Sequence, residues 1–201
     1  MRVTALSGGV GGARFLRGLL AHIDRTPELA GSTVTVIGNT GDDITLFGLR
    51  VCPDIDTVLY TLSGLANPVL GWGIEGDTRA ALDAMTRLGE EPWFLLGDQD
   101  IATHVLRTAR RRFGSPLSQV TAEFARSLGI QSRVIPVSDD PIATFIETPV
   151  GTFAFQDYFV RRKQQDVVIG VRIAGIDEAL PAPGVLEAIG SADTIILAPS
   201  N

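Results

Sequence analysis

Apolar residues recur along this chain in two rhythms, and each change of rhythm marks an element. Residues 3–6 form a short apolar run closed by glycines and read as a buried strand. Over residues 13–23 the period lengthens, and Phe15, Leu16, Leu19, Leu20 and Ile23 share one helical face. Residues 33–37 are rich in β-branched side chains and read as a second strand. Strand, glycine turn, helix and strand open a βαβ unit, which builds a parallel sheet through right-handed crossovers.

An acidic, turn-rich stretch follows over residues 39–56. A helix is expected to start near Asp54 or Asp56 and run into Thr57-Val58-Leu59-Tyr60-Thr61-Leu62. Residues 78–88, 101–112 and 117–128 carry apolar positions three and four apart and end near Gly89, Gly114 and Gly129. The spacing therefore predicts a helical insertion in the middle third, over residues 74–130. Strands return at 133–137, 143–147 and 152–155, the last two joined as a hairpin around Thr148-Pro149-Val150-Gly151. A further strand is expected at 167–173 and a short helix at 184–189. Residues 194–197 are apolar enough for a central parallel strand. The predicted class is α/β, a Rossmann-like, mostly parallel sheet in a single domain over residues 1–201. The sequence stops at Ala198-Pro199-Ser200-Asn201, one loop past a core strand, so truncation is suspected and more sheet is expected to follow.

Composition narrows the function classes. The chain has 201 residues, 45% hydrophobic and 20% charged, the balance of a folded domain. A formal net charge of −6 argues against nucleic acid as the main partner and leaves room for a nucleotide. The single cysteine, Cys52, permits no intrachain disulfide, and no Cys/His cluster has zinc spacing. A reducing, cytoplasmic setting is expected. The first seven residues are too short an apolar run for a signal peptide, and no stretch approaches ~18 apolar residues, so no membrane partner is expected.

The candidate chemistry starts at Ser7-Gly8-Gly9-Val10-Gly11-Gly12. A glycine-rich turn between strand and helix lets backbone N–H groups approach phosphate oxygens. The spacing is not the dinucleotide fingerprint, because Arg14 stands three beyond Gly11, and the Lys-Ser ending of a P-loop is absent. A tight turn with no ligand is the plainer alternative. Asp42, Asp43, Asp54 and Asp56 follow on neighbouring loops, and hard carboxylate oxygens suit Mg²⁺ beside substrate phosphates. Asp54 or Asp56 could instead cap a helix, as could Asp98 or Asp100. His104 reads as structural more readily than catalytic. Trp72, between Gly71 and Gly73, could cover a flat ring or anchor a core. Arg107, Arg110, Arg111 and Arg112 read as a solvated helix face. Ser138-Asp139-Asp140 ends a strand, at the ligand edge of such a sheet.

Six stretches then occur in a telling order. They are the segment Leu6 to Arg14, Asn39-Thr40-Gly41-Asp42-Asp43, Pro53-Asp54-Ile55-Asp56-Thr57, Gly71-Trp72-Gly73, the segment Leu96 to His104, and Ala198-Pro199-Ser200-Asn201. Together they resemble the 2-phospho-L-lactate transferase family of deazaflavin coenzyme F-420 biosynthesis. The resemblance implies transfer of a phospholactyl or phosphoenolpyruvyl unit from a guanosine diphospho-conjugate to the terminal ribityl hydroxyl of the deazaflavin Fo, with GMP leaving and Mg²⁺ required. On that footing Gly8, Gly9, Gly11, Gly12, Arg14 and Asn39 are expected to hold the donor, with Ser138, Asp139, Ser200 and Asn201 on its nucleotide side. Asp42, Asp43 and Asp54 are the expected metal ligands. Asp54 and Asp56 are the expected catalytic pair, Asp56 meeting Fo near its hydroxyl as a base or as an orienting group. Asp56→Asn is expected to abolish turnover with only a modest loss of stability. A homodimer is expected. The family extends well past the Ala-Pro-Ser-Asn loop. Two other readings remain at this level: a nucleotide- or sugar-nucleotide-binding regulator without transferase activity, and a non-catalytic fragment completed by an oligomeric partner.

Overall fold

A computed structural model describes residues 1–199. Strand β1 (Arg2–Ser7) runs into Gly8 and Gly9, and Gly9 turns the chain at φ 64°, a conformation that strains any side chain. Helix α1 (Gly9–Arg25) begins there, four residues earlier than the apolar period predicts, because glycines carry no periodic signal. Gly12 serves packing: a Cβ at this position would collide with Ser7 Oγ.

After β2 (Thr33–Gly38) the acidic stretch folds as a small hairpin, β3 (Ile44–Leu46) and β4 (Leu49–Val51). Phe47 and Gly48 turn it with φ 51° and 75°. Two positive φ angles give the primed turn that matches strand twist, but a phenylalanine in the first position hides the signal. Helix α2 (Pro53–Leu62) takes Pro53 as its first residue and Cys52 as its N-cap. Neither Asp54 nor Asp56 caps it; both sit in its first turn, where the helix dipole favours negative charge.

Helices α3 (Ala80–Arg87), α4 (Asp98–Arg112) and α5 (Leu117–Ser127) follow. The starts of α3 and α4 are clasped crosswise. Asp98, the first residue of α4, accepts the Ala80 and Ala81 amides of α3, while Asp77, ahead of α3, accepts the Gln99 and Asp100 amides of α4. Asp98 thus caps the other helix, and Asp100 accepts the amide of Gly97, the true N-cap of α4.

Strands β5 (Arg133–Pro136) and β9 (Thr194–Leu197) complete the main sheet, helix α6 (Val185–Ser191) packs against it, and β6 (Ala143–Thr148), β7 (Gly151–Ala154) and β8 (Gly170–Ala174) form a separate antiparallel one. The main sheet is parallel, in the order β5-β2-β1-β9. Alternation sorts its side chains. Val3, Ala5, Val34, Val36 and Val134 pack against α1, α2 and α5, while Ile37 and Ile135 pack against Val185 of α6. The expectation of a central β9 is corrected: it stands at the end of this sheet beside β1, and Ile195 and Leu197 are 51% and 77% exposed. Its other edge has no partner among the described residues. β8 is shorter than the run of valines predicts, since residues 167–169 precede the ladder with β6.

Candidate active site

A cavity of about 620 Å³ opens at the carboxyl ends of the sheet strands, the edge at which open α/β sheets bind ligands. Ser7, Gly38, Val137 and Ala198 mark the ends of β1, β2, β5 and β9 along one side. Tyr60, Trp72, Phe94 and His104 also line it, on the side where α2 meets the start of α4, and give the cavity an aromatic end. Asn39, Asp42, Asp54 and Asp56 also line the cavity.

Asn39 organises two of these carboxylates. Its side-chain oxygen accepts the Gly41 amide at 2.9 Å, which orients the group. Its Nδ2 then donates to Asp42 at 3.0 Å and to Asp54 at 2.7 Å. The other Asp54 oxygen accepts the Gly9 amide at 2.8 Å. The amide at the head of the glycine turn therefore already faces a carboxylate. Burial raises both aspartates above the ordinary carboxylate range; the Asn39 hydrogen bonds oppose this, and at Asp54 the neighbouring Asp42 charge adds to it. Two desolvated carboxylates brought together at one cavity wall fit a divalent cation, which commonly takes one or two protein carboxylates and fills the rest of its shell with water and phosphate oxygens. Among the described residues no group of three or more His, Cys, Asp or Glu converges for a metal.

Asp43 faces elsewhere. It pairs with Arg50 at 2.9 Å, its side chain is 1% exposed, and it does not line the cavity. Burial pushes it up to about 7 against the pull of Arg50. The pairing partner lies seven residues on, across the β3–β4 hairpin that the sequence pattern did not reveal.

Asp56 is held by a helix whose inside is polar. The buried residues of α4 are Asp100, His104, Arg107 and Thr108, while Val105 and Leu106 are half exposed. Arg107 is completely buried, against the expectation of a solvated arginine face. Both of its terminal nitrogens donate to the two oxygens of Asp56, and one also meets His104 Nδ1 at 3.2 Å. Burial is the largest single influence and works against the Arg107 charge; Asp56, Cys52 and Asp43 together outweigh it. Burial pushes the His104 imidazole down to about 4, with Asp56 opposing and Arg107 adding to the fall. A helical wheel read for polar positions would have found this stripe, because 100, 104 and 107 recur at four and three. Tyr60, one turn after Asp56, ties the helices again through its hydroxyl, which donates to Thr103 at 3.0 Å.

The remaining predicted residues divide. Gly8 and Gly9 line the cavity, whereas Gly11 and Gly12 lie inside the first turn of α1 and do not. Arg14 points to the Val69 carbonyl at 3.4 Å. The Ser138 hydroxyl donates to the Leu180 carbonyl, and Asp139 accepts the amide and hydroxyl of Ser118 at the start of α5. These three are engaged in holding segments together, and none lines the cavity. Ser200 and Asn201 lie outside the described residues. Among the cavity residues without a sequence signal are Gln156, whose amide donates to the Asp42 carbonyl at 3.2 Å, and Phe159, which stacks on Phe155 with centroids 5.4 Å apart.

A family model described as "2-phospho-L-lactate transferase CofD" matches residues 3–201. A phosphoenolpyruvate transferase of Thermobifida fusca is 45% identical over 208 residues, covering all of this chain and 65% of that protein. Proteins of the same name from Streptomyces griseus and Mycolicibacterium smegmatis are 47% and 39% identical, again over all of this chain and 63% and 64% of theirs. The chain thus spans a little under two thirds of the length of these curated relatives. In fold it is similar to the crystal structure of protein BH3568 from Bacillus halodurans, with a TM-score of 0.62 and 21% identity over 98% of this chain and 58% of that one. That protein is also described as a member of the UPF0052 family. Among the described residues no helix is long and apolar enough to cross a membrane.

Proposed function

This chain belongs to the 2-phospho-L-lactate transferase CofD family, and we propose that it transfers a phosphoenolpyruvyl unit from a guanosine diphospho-conjugate to the ribityl hydroxyl of the deazaflavin Fo. The enolpyruvyl choice leans on the relatives, which carry that acid in their name. The observation that carries the reading is the pair Asp42–Asp54, gathered by Asn39 in the wall of one cavity that has a strand-end side and an aromatic end.

The donor's phosphates would lie beside Gly8 and Asn39, along the strand ends. Asp42 and Asp54 would hold a Mg²⁺ ion, which supplies charge neutralisation for phosphoryl transfer. The acceptor ring would enter the aromatic end, bringing its side-chain hydroxyl toward Asp54 and Asp56. The hydroxyl oxygen attacks the acid-bearing phosphorus in line and gives its proton to solvent water, the bond from that phosphorus to the GMP oxygen breaks, and GMP departs with the bridging oxygen. Such a reaction asks the protein mainly to position and to stabilise charge. Asp56, with both oxygens on Arg107, is suited to orienting rather than to accepting a proton.

The test incubates the protein with Fo, Mg²⁺ and the enolpyruvyl or lactyl donor in parallel, and follows flavin products by chromatography. Turnover with the enolpyruvyl donor is expected. Asp54→Asn should lower the rate by about a hundredfold or more. A near-normal rate in that variant would remove Asp54 from the site.

A further inference from the structure

The two carboxylates that would share a cation are held in unlike ways. Asp54 sits in the first turn of α2 and accepts the Gly9 amide, so a helix fixes it. Asp42 sits in a turn between β2 and β3, where no regular element sets its place. The separate sheet β7-β6-β8 comes up to that turn. The Thr144 amide of β6 donates to the Gly41 carbonyl at 2.6 Å. The Gln156 side-chain amide, just past β7, donates to the Asp42 carbonyl at 3.2 Å. The Thr144 hydroxyl stands beside the Asp42 carboxyl and favours its charged form. A Cβ at Gly41 would lie 3.0 Å from that hydroxyl, so a glycine is what lets β6 approach this closely. Among the described residues, these are the only hydrogen bonds that the three strands and residues 155–161 make to the first 132 residues. A sheet that merely covered the core would not gather its polar contacts on one turn.

We infer that Thr144 and Gln156 are positioning residues for a divalent cation, through which the small antiparallel sheet holds Asp42 in place to share that cation with Asp54. This rests on the reading above that makes Asp42 and Asp54 metal ligands. Neither positioning residue needs to touch the metal. Gln156 fixes the backbone of Asp42, and Thr144 fixes the preceding carbonyl and meets the carboxyl itself. Ligating carboxylates are commonly oriented by such outer partners, and losing one weakens the metal rather than the fold. A loop ligand gains most from this, because without the clamp it must be ordered as the metal binds.

The test reads metal binding without turnover. Mn²⁺ stands in for Mg²⁺, and the free ion is followed by electron paramagnetic resonance. Binding of guanosine diphosphate without metal, and the thermal unfolding midpoint, report on the rest of the site and on the fold. Gln156→Met keeps the bulk of the side chain and cannot donate. Thr144→Val removes the hydroxyl and keeps the backbone amide on Gly41, while Thr144→Ser keeps both. Gln156→Met and Thr144→Val should each weaken Mn²⁺ binding by about threefold to tenfold, and Thr144→Ser by about twofold or less. None of the three should move the metal-free nucleotide constant. Asp42→Asn is the reference for loss of the ligand itself. Wild-type Mn²⁺ affinity in Gln156→Met or in Thr144→Val, beside a clear loss in Asp42→Asn, overturns the inference alone. So does a loss in Thr144→Ser as large as in Thr144→Val, or a fall in nucleotide affinity to match the fall in Mn²⁺ affinity. No Mn²⁺ binding by the wild-type chain, or unchanged binding in Asp42→Asn, overturns the metal reading and this inference with it.

Discussion

Helices α4 and α5 are neighbours in sequence and in contact, and they bury opposite kinds of surface. α5 follows the usual arrangement, with Leu117, Val120, Phe124 and Ala125 inside. α4 turns Asp100, His104 and Arg107 inward and leaves Val105 and Leu106 half exposed. The guanidinium groups of Arg107 and Arg110 lie over the Phe124 ring at 5.8 and 5.0 Å, so the two kinds of interior meet across one aromatic. α5 holds the fold by excluding water from apolar area. α4 holds a charged group in place beside a cavity, an arrangement that contributes position rather than stability.

That contrast can be broken most forcefully at Arg107. Arg107→Met leaves the Asp56 carboxylate buried and unpaired, and should cost about 3–5 kcal/mol in urea unfolding. Adding Asp56→Leu should recover most of the loss. Asp56→Asn should likewise cost more stability than a reading of the sequence alone implies, since it strands the arginine. In α5, Val120→Ala should cost about 1–3 kcal/mol, and a larger penalty there than at Arg107 would erase the distinction.

A smaller effect should appear with pH. His104 is held down to about 4, whereas an unfolded histidine titrates near 6.5. Between those values the unfolded chain takes up a proton that the folded one refuses, so this residue makes stability fall as pH drops from about 6.5 to 4. The raised carboxyls of Asp42, Asp43 and Asp54 act in the other direction. The difference between wild type and His104→Gln isolates the histidine: the variant should lose less stability on acidification, by about 1–3 kcal/mol. Parallel profiles for the two proteins would mean that the ring is charged in the fold.

The smallest effect belongs on the outer face of α4. Val105→Gln and Leu106→Gln should each change stability by less than about 0.5 kcal/mol, measured by thermal unfolding. A large loss at either position would show an apolar face in use.

The two helices also differ in how well the sequence announces them. Apolar periodicity places α5 and the strands of the main sheet within a residue or two, because those elements are held by the pattern being read. Periodicity finds α4 as a helix but turns it the wrong way, since it assumes that the buried stripe is the apolar one. The four aspartates were visible as a group. Their separate roles were not, because each depends on a partner brought by the fold: Arg50 for Asp43, Arg107 for Asp56, and the Gly9 amide for Asp54. The β3–β4 hairpin carries no turn signal, because Phe47 occupies a backbone conformation usually left to asparagine or glycine.

The crosswise caps of α3 and α4 couple two helix starts near the aromatic end of the cavity. Asp77 and Asp98 each seal the helix start that the other's neighbourhood supplies. Fraying one helix start pulls its neighbour's cap away, so the two ends open together or stay shut together. Amide hydrogens at 80–81 and 99–100 would then exchange as a single unit. The wall beside Phe94, Leu96 and His104 would behave like a door on two hinges that share one pin.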